Sequence, residues 1–360
     1  MALFQFLIGL GFLIVGAEML VRGASRLAVM IGISPLIIGL TVVAFGTSSP
    51  ELAVSVKAAL SDQASIAVGN VVGSNIFNVL FILGLAALIV PLMVSQQLIR
   101  LDVPLMIALS IFTLWLAGDG RLGRIDGAIL VLGLLLYVAF LIRQNNRQDV
   151  SADPADSPAK PIGPLGSRLG KDLVLIAAGL VLLVFGSRWL VQSAIVFAQY
   201  LGVSELVIGL TIVAAGTSMP EVVTSVIAAV RGERDIAVGN VVGSNIFNLM
   251  GVLGLASIVA PTGLSVSSSI LSFDLPVMIG VALICLPIFL TGGVITRKEG
   301  ALLLGYYVAY TAYLVLAASQ HAALQSFAGV MLYVVIPLTV LTLAWVVMQH
   351  LRLRRNSTQS

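Results

Sequence analysis

Residues 66–78 read IAVGNVVGSNIFN, and residues 236–248 repeat the same thirteen letters. The identity extends on both sides of this stretch. Segments 32–84 and 202–254 align without a gap, and 33 of their 53 positions are identical. The chain therefore contains an internal duplication at an offset of 170 residues. This duplication is the strongest indication of fold in the sequence.

Two further motifs belong to each copy. The first is GTSxPE, at residues 46–51 and 216–221. The second follows each copy and reads DVPLM at residues 102–106 and DLPVM at residues 274–278. The aspartate that opens this second motif precedes a proline, so we expect it to cap a helix. The duplicated unit is thus longer than the aligned 53 residues.

The composition indicates a membrane protein. The chain has 360 residues, of which 59% are hydrophobic and 10% charged, and its mean hydropathy is +1.10. Soluble domains carry about 45–50% apolar and about 25% charged residues. These values exclude an ordinary soluble enzyme and a disordered protein. A single cysteine, Cys285, excludes an internal disulfide and a cysteine-based zinc site.

Apolar stretches of about 20 residues, the length that crosses a bilayer, recur along the whole chain. Eleven such spans are predicted, at about 2–21, 34–60, 65–90, 103–118, 126–142, 172–198, 204–230, 236–260, 273–293, 301–318 and 326–349. An odd number of spans places the two termini on opposite sides. With a cytoplasmic C-terminus, 15 of the 19 Lys and Arg residues fall on the inner side, as the positive-inside rule requires. We therefore expect an external N-terminus in a bacterial inner membrane.

The duplication divides the chain into four parts. Residues 1–142 form the first five-span repeat and residues 172–320 the second. Residues 143–171 are expected to be a flexible cytoplasmic linker, and residues 321–360 an extra transmembrane helix with a basic cytoplasmic tail. Because five is odd, the second repeat enters the membrane from the opposite face. Inverted repeats favour a binding site near the bilayer midplane, built on interrupted helices.

Two carboxylates, Glu51 and Glu221, lie well inside predicted spans. An ionised acid at that depth costs several kcal/mol unless it has a partner or a water-filled cavity. Pro50 and Pro220 precede the two glutamates and interrupt the helix. The sequence therefore predicts freed backbone carbonyls close to each acid.

The side chains around the two glutamates supply oxygen and amide groups, without histidine or cysteine. Hard cations prefer oxygen ligands, and Ca²⁺ takes six to eight of them in irregular geometry. Two glutamates would balance the charge of one Ca²⁺. The predicted oxygen donors are the carbonyls of Ala44 and Ala214 and the side chains of Thr47, Ser48, Ser74, Asn78, Thr217, Ser218, Ser244 and Asn248.

The paired motifs GTSSPE with GSNIFN, and GTSMPE with GSNIFN, resemble the two alpha-repeats of the calcium/cation antiporter superfamily. Among its branches the chain is most similar to the prokaryotic sodium/calcium exchanger-like proteins. The resemblance covers about residues 1–320. It implies an all-α integral membrane protein with a ten-span inverted-repeat (5+5) exchanger fold, to which the eleventh C-terminal helix is added.

The resemblance also implies that spans 2, 3, 7 and 8 form the cation sites. The ligands that the resemblance implies for these cation sites are Ala44, Thr47, Ser48, Glu51, Ser74, Asn78, Ala214, Thr217, Ser218, Glu221, Ser244 and Asn248. The chain departs from the family pattern at one point. Many members carry aspartate at one of the positions that match Asn78 and Asn248, whereas this chain has asparagine at both. The site therefore has no third carboxylate, which weakens the carry-over of the family's stoichiometry and potassium dependence.

The predicted function is exchange of Ca²⁺ for Na⁺ by alternating access. The expected partners are these two ions, as substrates, and the lipid bilayer. No enzymatic activity, tightly bound cofactor, nucleic acid or obligate protein partner is expected.

Three other functions remain open on the sequence. Two buried carboxylates close together could also exchange protons, which would make the protein a Ca²⁺/H⁺ exchanger. A potassium-dependent exchanger is a further variant of antiport. A cation channel also selects ions with rings of oxygen atoms.

Overall fold

The computed structural model describes residues 2–151, 165–201 and 214–357, and helices make up most of them. A helix satisfies the hydrogen bonds of its own backbone, and an apolar segment needs this where water is absent. The helices in chain order are α1 (Ala2–Ile31), α2 (Pro35–Thr47), α3 (Ser49–Leu60), α4 (Ala64–Ile89), α5 (Leu98–Asp119), α6 (Arg124–Ser151), α7 (Leu165–Tyr200), α8 (Ala214–Gly216), α9 (Met219–Val230), α10 (Arg234–Val259), α11 (Ile270–Leu290), α12 (Arg297–Ala318) and α13 (Leu324–Gln349).

In the described part of the chain, nine helices are long and apolar enough to cross a membrane. The number rises to ten if α2 and α3, which meet at an angle of 46°, count as one bent span. The predicted span 204–230 is described only from residue 214 onward, where it contains α9. The helix α13 has the length and composition of a span, and its crossing of the membrane stays a prediction.

The helices α6 and α7 extend into the segment predicted as a linker. The helix α6 continues to Ser151 and α7 begins at Leu165. Residues 152–164 lie outside the described residues. Polar residues at the ends of a spanning helix thus continue the helix beyond its apolar part. The predicted division at residues 143 and 171 stays a prediction.

The helices α1 and α7 pack against each other along a seam of glycines. A Cβ atom built on Gly16 would lie 2.8 Å from the carbonyl oxygen of Gly179, and one built on Gly9 would lie 2.9 Å from that of Gly186. The order of these contacts shows that the two helices run antiparallel. They are equivalent in the two repeats, and antiparallel packing of equivalent helices is what an inverted repeat requires.

The helices α4 and α10 occupy the centre of the bundle and are the most buried of the long helices. Each carries one copy of the thirteen-residue motif. Short antiparallel ladders join the loops at the ends of the bundle. The strands are β1 (Leu92–Met93) paired with β4 (Val294–Ile295), and β2 (Arg121–Leu122) paired with β3 (Leu264–Ser265).

The aspartates of the DVPLM and DLPVM motifs do not cap a helix, which corrects the prediction made for them. Asp102 has helical backbone angles, and its side chain makes no capping bond. Instead its Oδ1 accepts a hydrogen bond of 2.8 Å from the hydroxyl of Tyr137, and Asp274 accepts one of 2.9 Å from Tyr310. A π-helical turn precedes each helix, so the chain is already helical at the aspartate and leaves no free N–H for it.

A small polar cluster connects α1 with the loop between α9 and α10. Glu18 forms ion pairs with Arg22, on the same helix, and with Arg231 across the interface. The hydroxyl of Ser25 donates a 2.7 Å hydrogen bond to Glu233 in the same loop. The cluster thus ties the first helix of one repeat to the second repeat at one end of the bundle.

The glycine seam predicts that Gly16→Ala destabilises the protein. The added methyl group would contact the α7 backbone, and such overpacking costs about 1–3 kcal/mol. The matched control is Gly11→Ala on the same helix, where a Cβ meets no atom within 4 Å. Unfolding by sodium dodecyl sulfate in mixed micelles measures the free energies of both variants. Equal stability of the two would contradict the seam.

Candidate functional site

The helix is interrupted at equivalent points of the two repeats, at Ser48 and Ser218. Their ψ angles are 6° and 9°, with φ angles of −82° and −88°. In both cases a proline at the start of the next helix causes the break, because it cannot donate a backbone hydrogen bond. Glu51 and Glu221 consequently lie in the first turns of α3 and α9. The unpaired N–H groups of a helix N-terminus favour negative charge at that place.

The prolines also change the bonding of carbonyls next to the predicted ligand carbonyls of Ala44 and Ala214. A proline leaves unpaired the carbonyl four residues before it, which belongs to Gly46 in the first repeat and to Gly216 in the second. The Gly216 carbonyl accepts a 2.6 Å bond from the hydroxyl of Ser187. The carbonyl of Ala44 accepts the N–H of Ser48 at 3.0 Å. A carbonyl oxygen has two lone pairs, so its role as a ligand stays a prediction. Ala214 begins the short helix α8.

Each buried glutamate is held by a serine of the opposite repeat. The hydroxyl of Ser48 donates a 2.8 Å hydrogen bond to Oε1 of Glu221, and that of Ser218 donates a 2.7 Å bond to Oε1 of Glu51. Ser218 also lies 3.3 Å from the hydroxyl of Ser74. The four residues of the two Ser–Glu bonds are at most 1% exposed. The structure thus brings both acids into one centre between the repeats.

Several oxygens of this centre have no hydrogen-bond partner in the described part of the chain. Three of these buried oxygens without a partner are Oε2 of Glu51, Oε2 of Glu221 and Oγ of Ser244. The same holds for Oδ1 of Asn78 and of Asn248. Buried acceptors without partners are rare in proteins and need an explanation. Bound cations would satisfy oxygens of this kind.

The asparagines at the start of two π-helical turns point their amide nitrogens away from these free oxygens. Nδ2 of Asn78 donates a 3.0 Å bond to Oδ1 of Asn245, and Nδ2 of Asn248 donates a 3.1 Å bond to Oδ1 of Asn75. The turns are Asn78–Leu83 and Asn248–Val252. Local π-helical geometry is frequent at functional sites.

The two predicted threonine ligands bond to asparagines of the other repeat. The hydroxyl of Thr47 donates to Oδ1 of Asn240 at 3.1 Å, and the hydroxyl of Thr217 lies 3.5 Å from Oδ1 of Asn70. Asn240 is in turn bonded to Ser225 at 2.9 Å.

Asn70 makes the corresponding bond to Ser55, at 3.0 Å. Neither Ser55 nor Ser225 was among the predicted site residues. Their signal was present, because both occupy the same place in the duplicated segment, four residues after the glutamate.

No positive side chain neutralises the two glutamates within residues 2–151, 165–201 and 214–357. The ion pairs of this part of the chain are those of Glu18 with Arg22 and Arg231. The same residues contain no group of three or more His, Cys, Asp and Glu side chains that could hold a metal. Any cation in this centre would therefore be bound by two carboxylates and by neutral oxygens.

Comparison with known proteins identifies the family. The family model described as sodium/calcium exchanger protein matches residues 1–143 and 171–316. The chain belongs to the sodium/calcium exchanger protein family. It is therefore a multi-pass integral membrane protein of a family of cation antiporters, and the predicted family is confirmed.

Two relatives of this exchanger-family protein cover most of its length. Inner membrane protein YrbG of Escherichia coli (strain K12) is 41% identical over 258 residues, which are 71% of this chain and 79% of that protein. The sodium/calcium exchanger MaX1 of Methanosarcina acetivorans is 35% identical over 336 residues, covering 84% of this chain and 95% of that one.

A solved structure of the sodium-calcium exchanger NCX_Mj, soaked with zero Na⁺ and Ca²⁺, has the same fold. Its TM-score to this exchanger-family chain is 0.74 at 31% sequence identity, and the match covers 87% of this chain and 98% of NCX_Mj. The predicted exchanger fold is thereby confirmed. The division into five plus five spans and the role of α13 stay predictions.

The reciprocal Ser–Glu bonds predict that Ser48→Ala and Ser218→Ala weaken Ca²⁺ binding to a similar degree. A hydrogen bond to a charged group contributes about 1.5–3 kcal/mol, so the Kd should rise at least about tenfold. Isothermal titration calorimetry of the purified protein measures it. Ser49→Ala is the matched control, because its exposed hydroxyl donates to the backbone carbonyl of Phe45 in the preceding helix α2 and to neither glutamate. A normal Kd in both site variants would contradict the assignment.

Proposed function

We propose that the protein is a secondary-active antiporter that exchanges Ca²⁺ for Na⁺ by alternating access. The observation that carries the proposal is the buried pair Glu51 and Glu221, each with one oxygen bonded to a serine and one without a partner. Two ionised acids taken out of water cost several kcal/mol each unless opposite charge compensates them. A transported cation supplies that charge.

The chemistry of the donors favours Ca²⁺ and Na⁺ over transition metals. All donors are carboxylate, hydroxyl, amide or backbone oxygens, which hard cations prefer. We propose as ligands Ala44, Thr47, Ser48, Glu51, Ser74, Asn78, Ala214, Thr217, Ser218, Glu221, Ser244 and Asn248. The printed names of MaX1 and NCX_Mj, both sodium/calcium exchangers, support the choice of ions.

Charge balance explains how the two ions would be coupled. One Ca²⁺ neutralises the two glutamates, and Na⁺ ions do so when they replace it. Either load removes the electrostatic penalty, so the loaded site can cross between the two sides. An empty site keeps two buried negative charges close together, and its crossing is disfavoured. Competition of the two ions for the same oxygens thus makes exchange obligatory.

Orientation and direction follow from the charge pattern and from the usual sodium gradient. The excess of Lys and Arg on one side places the C-terminus in the cytoplasm and the N-terminus outside. Inward movement of Na⁺ would then drive Ca²⁺ out of the cell. The relative YrbG, printed as an inner membrane protein, supports the bacterial inner membrane as the location.

The experiment is ⁴⁵Ca²⁺ uptake into proteoliposomes preloaded with Na⁺. Uptake should require internal Na⁺ and fall to background in Glu51→Gln and in Glu221→Gln, since either change leaves Ca²⁺ without charge balance. The matched control is Asp102→Asn, a fully buried carboxylate that accepts a hydrogen bond from Tyr137. This variant should transport normally.

Further arms separate the other functions. Liposomes loaded with K⁺ and liposomes given a pH jump test potassium-dependent and proton-coupled exchange. Uptake that follows only the pH jump would replace Na⁺ by H⁺ as the counter-ion. A flux far above carrier rates would indicate a channel. Unchanged uptake in both glutamine variants would overturn the site.

A further inference from the structure

The amide groups next to the free oxygens form two equivalent chains of hydrogen bonds. Asn78 donates from Nδ2 to Asn245, and Asn248 donates from Nδ2 to Asn75. Each of these bonds crosses from one repeat to the other. All four side chains are at most 2% exposed. The chains therefore lie in the dry interior, where a lost or misdirected hydrogen bond is costly.

An asparagine amide has a carbonyl oxygen at one end and a nitrogen that only donates at the other. Once Nδ2 of Asn78 is bonded to Asn245, its Oδ1 faces the site, where it has no partner in the described part of the chain. The reverse orientation would turn N–H groups toward the site and repel a cation. The direction of the amide thus decides whether this residue attracts or repels the substrate.

The orientation of each amide depends on a methionine, which is the next residue in each chain of hydrogen bonds. Nδ2 of Asn245 donates to Sδ of Met106 at 3.3 Å, and Nδ2 of Asn75 donates to Sδ of Met278 at 3.7 Å. The two methionines are 1% and 2% exposed. They are the last residues of the DVPLM and DLPVM motifs, for which the exchange mechanism has given no role.

We propose that Met106 and Met278 are positioning residues that act through Asn245 and Asn75. A thioether sulfur accepts a hydrogen bond and cannot donate one. Its neighbour must therefore turn its N–H group toward the sulfur and its oxygen toward the next amide, which orients Asn78 and Asn248 with oxygen toward the cation. This inference deepens the proposed function and rests on it.

The two repeats support the inference independently. The same chain of methionine, asparagine and asparagine occurs twice, once in each direction across the interface. Asn75 has an additional bond of 3.3 Å to the backbone carbonyl of Asn245, whereas Asn245 relies on Met106. Loss of the sulfur should therefore have the larger effect at Met106.

The experiment compares the apparent KM for Ca²⁺ with the maximal rate in proteoliposomes. Met106→Leu keeps the volume and removes the acceptor, so we expect KM to rise about fivefold or more, as for the loss of one hydrogen bond. The maximal rate per folded protein should stay within about twofold of the wild type, and the melting temperature within a few degrees. Volume-conserving changes in a core cost little stability. A purely packing role would leave KM unchanged.

Three further variants sharpen the test. Met106→Gln restores an acceptor oxygen and should restore KM. Met250→Leu removes a methionine of the same burial whose thioether lies near Gly133, and it should resemble the wild type. In a double-mutant cycle, Met106→Leu should add nothing to Asn245→Leu, because both act on Asn78. An unchanged KM in Met106→Leu, a failed rescue by glutamine or full additivity would each overturn the inference.

Failure of the proposed function would look different. If the wild type carries no Ca²⁺, the exchange of Ca²⁺ fails, and the same variants are compared with ²²Na⁺ as the probe. A raised KM for Na⁺ in Met106→Leu would still support the positioning role. An unchanged KM for Na⁺, or a wild type that carries neither ion, would overturn it.

Discussion

The burial of two carboxylates without a basic partner is the constraint on which the rest of this structure depends. Ionised acids in a dry interior are among the most expensive groups that a protein can contain. Here each acid receives one serine hydroxyl from the opposite repeat and keeps one oxygen free. The broken helices, the polar motifs on α4 and α10 and the close packing of the repeats all serve to hold these acids together. The hydrogen bonds from the two serines offset only part of the free-energy cost of burying the acids.

The reciprocal arrangement of the centre follows from the duplicated sequence. Ser48 binds Glu221 and Ser218 binds Glu51, so each repeat completes the coordination of the other. Neither repeat contains a finished site by itself. The contacts of the centre therefore exist in equivalent pairs, one from each repeat.

Much of the fold and of the site could be predicted from the sequence, for physical reasons. Apolar stretches long enough to cross a bilayer predicted the helices. The duplicated motifs predicted which residues lie together in the site. The donors around Glu51 and Glu221 were recognised because polar atoms in an apolar span need partners. The role of the Ala44 carbonyl as a ligand stays a prediction, since this carbonyl also accepts the N–H of Ser48. The helix α6 ends beyond its predicted span of 126–142, because its polar residues continue the helix past the apolar part.

What the sequence did not reveal depends on contacts between distant segments. The bonds of Asp102 to Tyr137 and of Asn245 to Met106 join residues 35 and 139 positions apart. No periodicity connects such residues, and a methionine in an apolar helix gives no sign that its sulfur accepts a hydrogen bond. The repeated DVPLM and DLPVM motifs marked the place without indicating the interaction.

The cluster of Glu18 with Arg22 and Arg231 has no counterpart at the equivalent positions of the duplicated sequence. At an offset of 170 residues, Arg188 takes the place of Glu18 and Ser61 that of Arg231, so that ion pair cannot form at the other end of the bundle. Solvent reaches the cluster, and dissolved salt screens exposed charges over about 8 Å at physiological ionic strength. The two ends of this bundle therefore differ in how their surface charges respond to salt.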